Sequence, residues 1–393
     1  HYITSIFNFK AKHHLMERFS HKQMEDPSQE EIVSLVNSIF EVDEFTKTEF
    51  SLEFKIQDNN FKTKFEELSR KLEGMKYVGK LEKREKEILV IIQKFPEIKH
   101  GKWMSTKWTP RILFAVVISF VMIDGYYRTE AFNAITYIGE PLEMAAIYTI
   151  SLLGILGIHE LGHLIAARHH RLKTTWPFFI PGIPLIPNII PVALLPTFGA
   201  VIQSRGHMIN RNILFDVAIA GPIAGLVIAV IVALYGAYTV PIIETSEIQK
   251  LMNNGGRVIE SPFGNPILFQ MALAVFGKAS QLIIHTPVLW ASLIGFMITF
   301  LNLLPAAQLD GGHMARTLFG RKWHKYTTYV SLGILVLLGF WMLAILIIAF
   351  SARSLSAEPL DDISPLTRKK KLTYIGIVGL AILCAPLPIN LLA

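Results

Sequence analysis

The sequence predicts a polytopic α-helical membrane protein with about six transmembrane helices, a re-entrant loop that ends in a β-strand, and a small N-terminal α+β domain. Of the 393 residues, 51% are hydrophobic and 18% are charged, and the mean hydropathy is +0.41. Soluble proteins of this length are more polar. The first 102 residues differ, because they hold 18 Lys and Arg, 18 Asp and Glu, and no apolar run that could span a bilayer. We therefore expect a soluble domain over residues 1–104 and a transmembrane core over residues 105–393.

The charge balance narrows the function classes. The formal net charge of +7 belongs to the apolar part, where 20 basic and 13 acidic residues lie in short loops between apolar runs. This arrangement is typical of membrane topology and not of nucleic-acid binding. The single cysteine, Cys384, excludes an intrachain disulfide and any cysteine-rich zinc or iron–sulfur site.

The N-terminal domain is predicted to combine helices and strands. Residues 28–40 place apolar side chains three and four positions apart, which is typical of a capped amphipathic helix, and a second helix is predicted over residues 61–73. One strand is expected around the alternating Phe50, Leu52, Phe54 and Ile56, and two more near residues 77–81 and 87–93. We find no catalytic constellation here, so we interpret the domain as a docking or regulatory module.

Six apolar runs follow. Pro110 precedes the first, in the opening turn of a helix, where its missing N–H has no partner to lose. The third contains "AGPIAG", whose small residues would let a neighbouring helix approach closely. Pro386 and Pro388 shorten the last. The predicted spans are about 111–127, 144–168, 214–238, 288–304, 326–350 and 372–388.

The segment between the second and third spans is apolar but irregular. Residues 177–205 carry six prolines, which forbid a continuous helix. Such backbone is tolerated at membrane depth only where it is buried in protein or lines a wet cavity. We expect a re-entrant loop that ends in a strand, "TFGAVIQ"; an apolar surface loop is the alternative.

Lys and Arg near the span ends predict the orientation. They gather before span one, after span two and after span four, so we expect these segments and the N-terminal domain on the cytoplasmic side. The loop after span one holds Glu130, Glu140 and Glu143 and suits the outside. The basic run at residues 368–371 conflicts with this scheme, because six spans would place it outside.

The motif "HELGH", residues 159–163, lies inside the second apolar run. In a helix, His159 and His163 project from one face a turn apart, where one tetrahedral zinc ion takes a nitrogen from each. Glu160 points aside and is placed to act as general base towards water at the metal. Gly162 would add room close to the metal. The alternative is a buried His–Glu pair that holds helices together.

A catalytic zinc ion needs a third protein ligand and one open position. The acids within the predicted spans and their ends are Asp124, Glu160, Asp216 and Asp310, and a functional role is the first hypothesis for a charged group in lipid. Asp310 is the best candidate, because Asn302 and Pro305 end span four before it. The following Gly311–Gly312 would permit a tight turn that aims the carboxylate inward. An Asp–Gly turn at a helix end is the alternative.

These motifs together resemble a known family. "HELGH", "FGA" at residues 198–200, "LFDVAIAGPIAG" in span three and "NLLPAAQLDGG" after span four occur in the order and hydrophobic setting of the site-2 proteases, the intramembrane zinc metalloproteases. The resemblance covers roughly residues 110–350. Its two halves, which begin the site at His159 and complete it at Asp310, are 151 residues apart. It implies that His159, His163 and Asp310 ligate one zinc ion per chain and that Glu160 is the catalytic base.

The same resemblance implies proteolysis within the bilayer, with a single-span membrane protein as the substrate. A peptide bond in a helix is shielded by its own hydrogen bonds, so the substrate must unwind, and pairing with an edge strand would satisfy its backbone. The resemblance assigns that strand to Phe198, Gly199, Ala200, Val201 and Ile202. Members with an inserted PDZ domain differ from this chain, since nothing between Tyr238 and Asn265 is long enough for one.

Other residues are weaker candidates. Asn302 is our candidate second donor to the oxyanion, with a helix C-cap as its alternative role. A water path to the site, opening on the cytoplasmic side, is expected to involve His169, His170, His207 and His313, for which solvated loop histidines are the alternative.

Three other functions stay open at this point. A membrane prenyl-protein endopeptidase would need a glutamate as third ligand on a later helix, and we find none suitably placed. A metal or proton transporter would show inverted repeats, which we do not see. A catalytically silent family member acting as a membrane scaffold or chaperone would be expected to lack one of the four motif residues. The sequence predicts no oligomeric state, substrate identity or cut site.

Overall fold

The computed structural model describes residues 29–94, 108–187, 195–202, 207–243, 246, 264–281, 283–351 and 358–386. A small α+β region comes first and a bundle of mostly apolar helices follows. The predicted cap Ser28, the predicted boundary at residue 104, and Pro388 lie outside the described residues.

The α+β region is an antiparallel sheet covered by two helices. The strand order is β1-β2-β4-β3. Both helices and the inner face of the sheet share one apolar core, in which Ile32, Phe54 and Phe65 are fully buried. The elements are α1 (Gln29–Ile39), β1 (Val42–Lys47), β2 (Leu52–Ile56), α2 (Phe61–Gly74), β3 (Tyr77–Arg84) and β4 (Glu87–Lys94).

Both helices and the last two strands lie where the sequence predicts them, but the first part of the sheet differs. The alternation that starts at Phe50 predicts that this side chain faces the core, and this is wrong: Phe50 is 78% exposed and β2 begins at Leu52. The sequence pattern also does not predict β1, because the side chains of this edge strand are mostly exposed and show little alternation of apolar and polar residues.

The bundle is built around one central helix, α5, which packs against α4, α6, α7 and α8. Three helices, α3, α4 and α5, are long and apolar enough to cross a membrane, and α7 is a shorter apolar helix. The elements are α3 (Thr109–Asn133), α4 (Pro141–His169), α5 (Arg211–Thr239), α6 (Ile267–Val275), α7 (Pro287–Leu303), α8 (Asp310–Leu337), α9 (Trp341–Ser351) and α10 (Arg368–Cys384).

The predicted fifth span, 326–350, is not one helix. The backbone of α8 leaves helical geometry at Gly320, and the helix ends at Leu337 before α9 starts at Trp341. The backbone at the break has a defined geometry, in which Gly339 has a φ of 85°. The N–H of Gly339 donates to the carbonyl of Val336 at 3.1 Å, and the N–H of Phe340 donates to the carbonyl of Leu335 at 2.8 Å. This pair of bonds around a left-handed glycine is a Schellman motif, which stops a helix however apolar its sequence is.

The basic run at residues 368–371 lies at the same end of the bundle as the start of α5, and the scheme that places it opposite is wrong. The Nζ of Lys370 donates to Asp216 Oδ2 at 2.7 Å and to the carbonyl of Asn212 at 2.9 Å. We call this end, where α4 ends and α5 and α10 begin, the basic end. The prediction treats residues 326–350 as one helix, whereas the structure divides them between α8 and α9 at Gly339.

The proline-rich segment contains a short two-stranded ribbon. β5 (Phe178–Pro181) pairs antiparallel with β6 (Thr197–Val201), with Phe178 opposite Val201. β6 matches the start of the predicted strand "TFGAVIQ". Residues 188–194 and 203–206 of the segment, including Gln203, lie outside the described residues.

The α+β region is docked at the basic end. Arg70 donates to the carbonyl of His170 at 3.2 Å, and the Nζ of Lys173 lies 3.1 Å from Glu73 Oε1. A segment after α9 joins the two parts. The carbonyl of Leu360 accepts from the N–H of Leu81 in β3 at 2.9 Å, and the N–H of Leu360 donates to the carbonyl of Met208, before α5, at 2.8 Å.

Candidate metal centre

The site begins on α4, whose last third carries the H-E-x-x-H motif. His159 and His163 lie one turn apart, as their spacing predicts, with ring centroids 4.9 Å apart and nearly perpendicular planes. Their Nε2 atoms are 3.2 Å apart. Because His159 and His163 are ten and six residues from the end of α4, they lie about 15 Å and about 9 Å from the basic end, within the apolar part of the bundle.

Asp310 joins the two histidines from another part of the chain. Its Oδ2 lies 3.4 Å from His159 Nε2 and 3.3 Å from His163 Nε2. In the described residues, these three are the group of His, Cys, Asp and Glu whose ligand atoms are close enough to hold a metal ion. All three members of this cluster are thus residues that the sequence had singled out.

The glycines after Asp310 act differently from the prediction. They form no tight turn, since Asp310 is the first residue of α8 and Gly311 and Gly312 continue that helix. A Cβ on Gly311 would lie 2.1 Å from the carbonyl oxygen of Leu303, and one on Gly312 would lie 2.4 Å from that of Ala307. Gly311 thus lets the first turn of α8 pack directly on the end of α7, and Gly312 lets it pack on the loop between the two helices; these contacts bring the carboxylate to the histidines.

The back wall of the site is α5. A Cβ on Gly221 would lie 2.1 Å from His163 Nε2, and one on Gly225 would lie 3.0 Å from the Cβ of His159. The two histidines, four residues apart on α4, thus face two glycines that are four residues apart on α5. The small residues of "AGPIAG" do permit the close helix approach that the sequence predicts. They also leave the space that the imidazoles occupy, a role that sequence reasoning missed.

Gly162 also serves the helix contact. A Cβ there would meet the carbonyl oxygen of Ala220 at 2.5 Å, so this glycine admits α5 and does not make room for a metal as predicted.

The two imidazoles face one point, and a hydrogen bond fixes the orientation of His163. The Nδ1 of His163 donates to the carbonyl of Val217 at 2.7 Å, which leaves a lone pair on Nε2. The amide Nδ2 of Asn302, in the last turn of α7, lies 3.3 Å from His159 Nε2. The Nε2 atoms of His159 and His163 and a carboxylate oxygen of Asp310 thus converge, and a positive charge between them would stabilise this arrangement.

The donor set fits zinc. Two imidazole nitrogens and one carboxylate oxygen are a ligand set that catalytic zinc uses, with the fourth position left open. Zinc–ligand bonds of about 2.0–2.1 Å in a tetrahedron place neighbouring ligand atoms about 3.3 Å apart. The observed separations of 3.2, 3.3 and 3.4 Å match this edge length.

Two further predicted residues lie at the site. Glu160 follows His159 on the same turn of α4 and is half-buried. Asn302 is inside α7, which ends one residue later, and its amide reaches His159 instead of capping the helix.

The predicted substrate strand coincides with β6 and one residue beyond it. Phe198, Gly199, Ala200 and Val201 belong to β6, and Ile202 follows it. The ribbon packs on α3 and α4, the helix that carries the two histidines. Phe198 is 58% exposed. Gly199 has a φ of 87°, and a Cβ at this position would meet no atom within 4 Å.

The four histidines proposed for a water path lie in different settings. His170 Nε2 is 3.1 Å from Asp216 Oδ2, and the His169 ring packs edge-on against it. His207 is exposed at the basic end, although partial burial holds the pKa of its imidazole below the usual range. His313 is on the first turn of α8, half-buried and three residues after Asp310.

Comparisons with known proteins agree with this geometry. The family model for peptidase family M50 matches residues 147–346, which include both histidines and Asp310. No solved structure matches the chain.

Curated relatives also match. The probable zinc metalloprotease EGY2, chloroplastic, of Oryza sativa subsp. indica is 28% identical over 258 residues, which is 60% of this chain and 41% of the relative. The probable zinc metalloprotease EGY1, chloroplastic, of Arabidopsis thaliana is 28% identical over 270 residues, 64% of this chain and 46% of the relative. The probable zinc metalloprotease EGY3, chloroplastic, of Oryza sativa subsp. indica is 23% identical over 307 residues, which is 72% of this chain and 48% of the relative. The chain thus spans less than half the length of each.

Proposed function

The chain belongs to peptidase family M50, and from this premise we propose that it is an intramembrane zinc metalloprotease that hydrolyses peptide bonds within the transmembrane segments of single-span membrane proteins. The observation that carries the proposal is the triangle of His159, His163 and Asp310, with ligand atoms 3.2–3.4 Å apart inside an apolar bundle. A half-buried carboxylate and two imidazoles with no metal function would be a costly arrangement there.

We assign His159, His163 and Asp310 as the ligands of one zinc ion. A zinc ion held by these three groups would lower the pKa of a bound water molecule and would polarise the carbonyl of the scissile peptide. Val217 holds the imidazole of His163 so that its Nε2 atom faces the ligand point.

Glu160 is the general base and acid of the proposed reaction. Its carboxylate accepts a proton from the attacking water and passes it to the leaving amine, because it is next to the ligands without being one of them. The amide Nδ2 of Asn302 lies 3.3 Å from the ligand atom of His159, and we assign this donor to the developing oxyanion.

The β5–β6 ribbon is the proposed substrate-binding element. A substrate segment that unwinds loses its helical hydrogen bonds in a region without free water, so an added strand restores them. β6 has one edge paired with β5 and packs on α4, the helix of the H-E-x-x-H motif. We propose that residues 198–202 pair with the substrate there.

We propose a multi-pass core with the basic end in the cytoplasm. In this arrangement α3, α4, α5, α7 with the start of α8, and α10 cross the bilayer, whereas the rest of α8 and α9 enter it and return. Lys370 and the docked α+β region then share the cytoplasmic side with the loop after α4, as the positive-inside rule favours. A single-span substrate and the lipid bilayer are the proposed partners, and no nucleic acid is involved.

The test uses purified protein in detergent with a panel of single-span substrates and a zinc assay. We expect about one zinc ion per wild-type chain, and cleavage that Glu160→Gln abolishes while the zinc content is unchanged. Asp310→Asn should lose both zinc and cleavage. Glu143→Gln, which removes a carboxylate near the other end of α4, is the matched control and should cut as wild type.

Two results would contradict the proposal. Wild-type protein that holds no zinc would remove the ligand assignment. Wild-type protein that holds zinc but cuts nothing in the panel would favour a silent scaffold, and metal movement across sealed vesicles would favour a transporter.

A further inference from the structure

A second buried acid, Asp124, lies in α3 and has no part in the metal centre. Its side chain is 0% exposed, and a charged group inside a membrane helix costs several kcal/mol unless it has partners. Asp124 Oδ2 accepts from Arg128 Nε at 2.6 Å and from the Tyr148 hydroxyl at 2.8 Å, while Oδ1 accepts from the backbone N–H of Leu185 at 2.9 Å. The carboxylate is therefore fully engaged.

Its partners come from separate parts of the fold. Arg128 is one turn further along α3, and its guanidinium lies 4.6 Å from the ring centroid of Trp290 on α7. Tyr148 is a buried residue of α4. Leu185 alone among the three donors belongs to no helix: it lies between β5 and β6 in the proline-rich segment. Asp124 thus ties that segment to the packed helices.

The tied residue lies next to the proposed substrate-binding ribbon. Beyond the paired strands, Gly182 N–H bonds to the Pro196 carbonyl at 3.0 Å and Ile183 N–H to that of Leu195 at 2.9 Å. A Cβ on Gly182 would lie 2.1 Å from the Leu195 oxygen, so the two backbones run in direct contact. Leu185 is two residues past the last of these bonds, and fixing its N–H fixes the end of the ribbon.

We propose that Asp124 is a positioning residue that sets where the substrate is cut, by anchoring the β5–β6 ribbon through Leu185. This inference rests on the proposed function. The site of cleavage depends on which substrate residue lies opposite each residue of β6, and a slip of one residue turns every side chain of a strand to the other face. A ribbon tied to α3 and α4 keeps a constant distance from His159 on α4, as precise positioning of a peptide bond requires.

The test removes one hydrogen bond at a time from the same carboxylate. Leu185→Pro deletes the N–H that reaches Asp124 in a segment already bent by prolines. Tyr148→Phe deletes another donor to the same carboxylate without touching the ribbon and is the matched control. Each variant is compared with wild type for zinc content, for kcat/KM, and for the bond cut in a single-span substrate, identified by mass spectrometry of the products.

With zinc content unchanged, we expect Leu185→Pro to move the cut by one or more residues or to spread it over several bonds, and to lower kcat/KM about tenfold or more. Tyr148→Phe should cut the wild-type bond. A Leu185→Pro variant that cuts the same bond with the same kcat/KM would overturn the proposal, and so would a Tyr148→Phe variant with an equal shift.

If Leu185→Pro loses zinc, Asp124→Asn decides the question, because it keeps the volume and one acceptor oxygen but weakens the tie. A moved cut supports the anchor. Loss of zinc in both variants contradicts it, since the cluster would then hold the whole core and not the ribbon. Failure of the proposed function is distinguishable, because in that case wild type itself does not cut.

Discussion

Gly221 leaves no space for a side chain beside the metal centre. A Cβ at this position would lie 2.1 Å from His163 Nε2, the atom that faces Asp310. Close packing of α4 on α5 prevents the imidazole from moving away without breaking its bond to Val217. Even the methyl group of alanine should therefore displace a ligand.

We expect Gly221→Ala to lower the zinc content of the purified protein about tenfold or more, since disturbed ligand support typically costs 10–100-fold in metal affinity. The control is Gly157→Ala on α4, whose added Cβ meets no atom within 4 Å and which should retain zinc. Equal zinc in the Gly221→Ala variant and wild type, measured by mass spectrometry of the metal, would show that the imidazoles are held less tightly than the contacts indicate.

The residues of the site differ in how far the sequence could predict them. His159, Glu160 and His163 were predictable because their relation is local, fixed by the helical period. The role of Gly221 was not, because it depends on which face of α5 meets α4. Gly311–Gly312 were misassigned for the same reason: they allow close contacts with the end of α7 and with the loop that follows it, which no local pattern shows.

The break between α8 and α9 shows that a helix end can be decided by a few backbone bonds. Residues 326–350 are apolar enough to form one span, yet the Schellman motif at Gly339 divides them. Hydropathy averages over such a position, whereas the left-handed conformation there depends on a single glycine.

Gly339→Ala should destabilise the protein, because alanine is strained at a φ of 85° while glycine is not. We expect a loss of about 1 kcal/mol, seen as a lower midpoint of thermal unfolding in detergent. Gly333→Ala, inside α8 with no atom within 4 Å of the added Cβ, should be neutral or slightly stabilising. Equal midpoints for both variants would mean that the break does not depend on Gly339.

At the scale of the whole molecule, several charged contacts between separate elements lie at the basic end of the bundle. Asp362 accepts from both Arg211 of α5 and Arg316 of α8, at 3.0 and 2.7 Å. Glu73 and Lys173 join the α+β region to the same end. The charge and hydropathy of the sequence predict the general division of the chain into a small α+β region and an apolar helical core. The docking of the two parts was not, because its contacts join residues about a hundred positions apart or more.

The arrangement predicts which surfaces share a side of the membrane. In a background with the buried Cys384 replaced by alanine, cysteines at Lys173 and Lys369 should react with an impermeant maleimide from one side of sealed, oriented vesicles. A cysteine at the exposed Tyr137 should react from the other side. Labelling of position 369 together with position 137 would contradict the shared basic end.

The central claim, peptide hydrolysis within the membrane by the zinc centre of α4 and α8, is tested most directly by locating the bond that the purified protein cuts. A single-span substrate is incubated with wild type and with Glu160→Gln at equal zinc content, and the products are sequenced by mass spectrometry. The structure predicts a cut inside the substrate's transmembrane segment by wild type and none by Glu160→Gln. A cut confined to residues outside that segment, or one that persists in Glu160→Gln, would contradict the account.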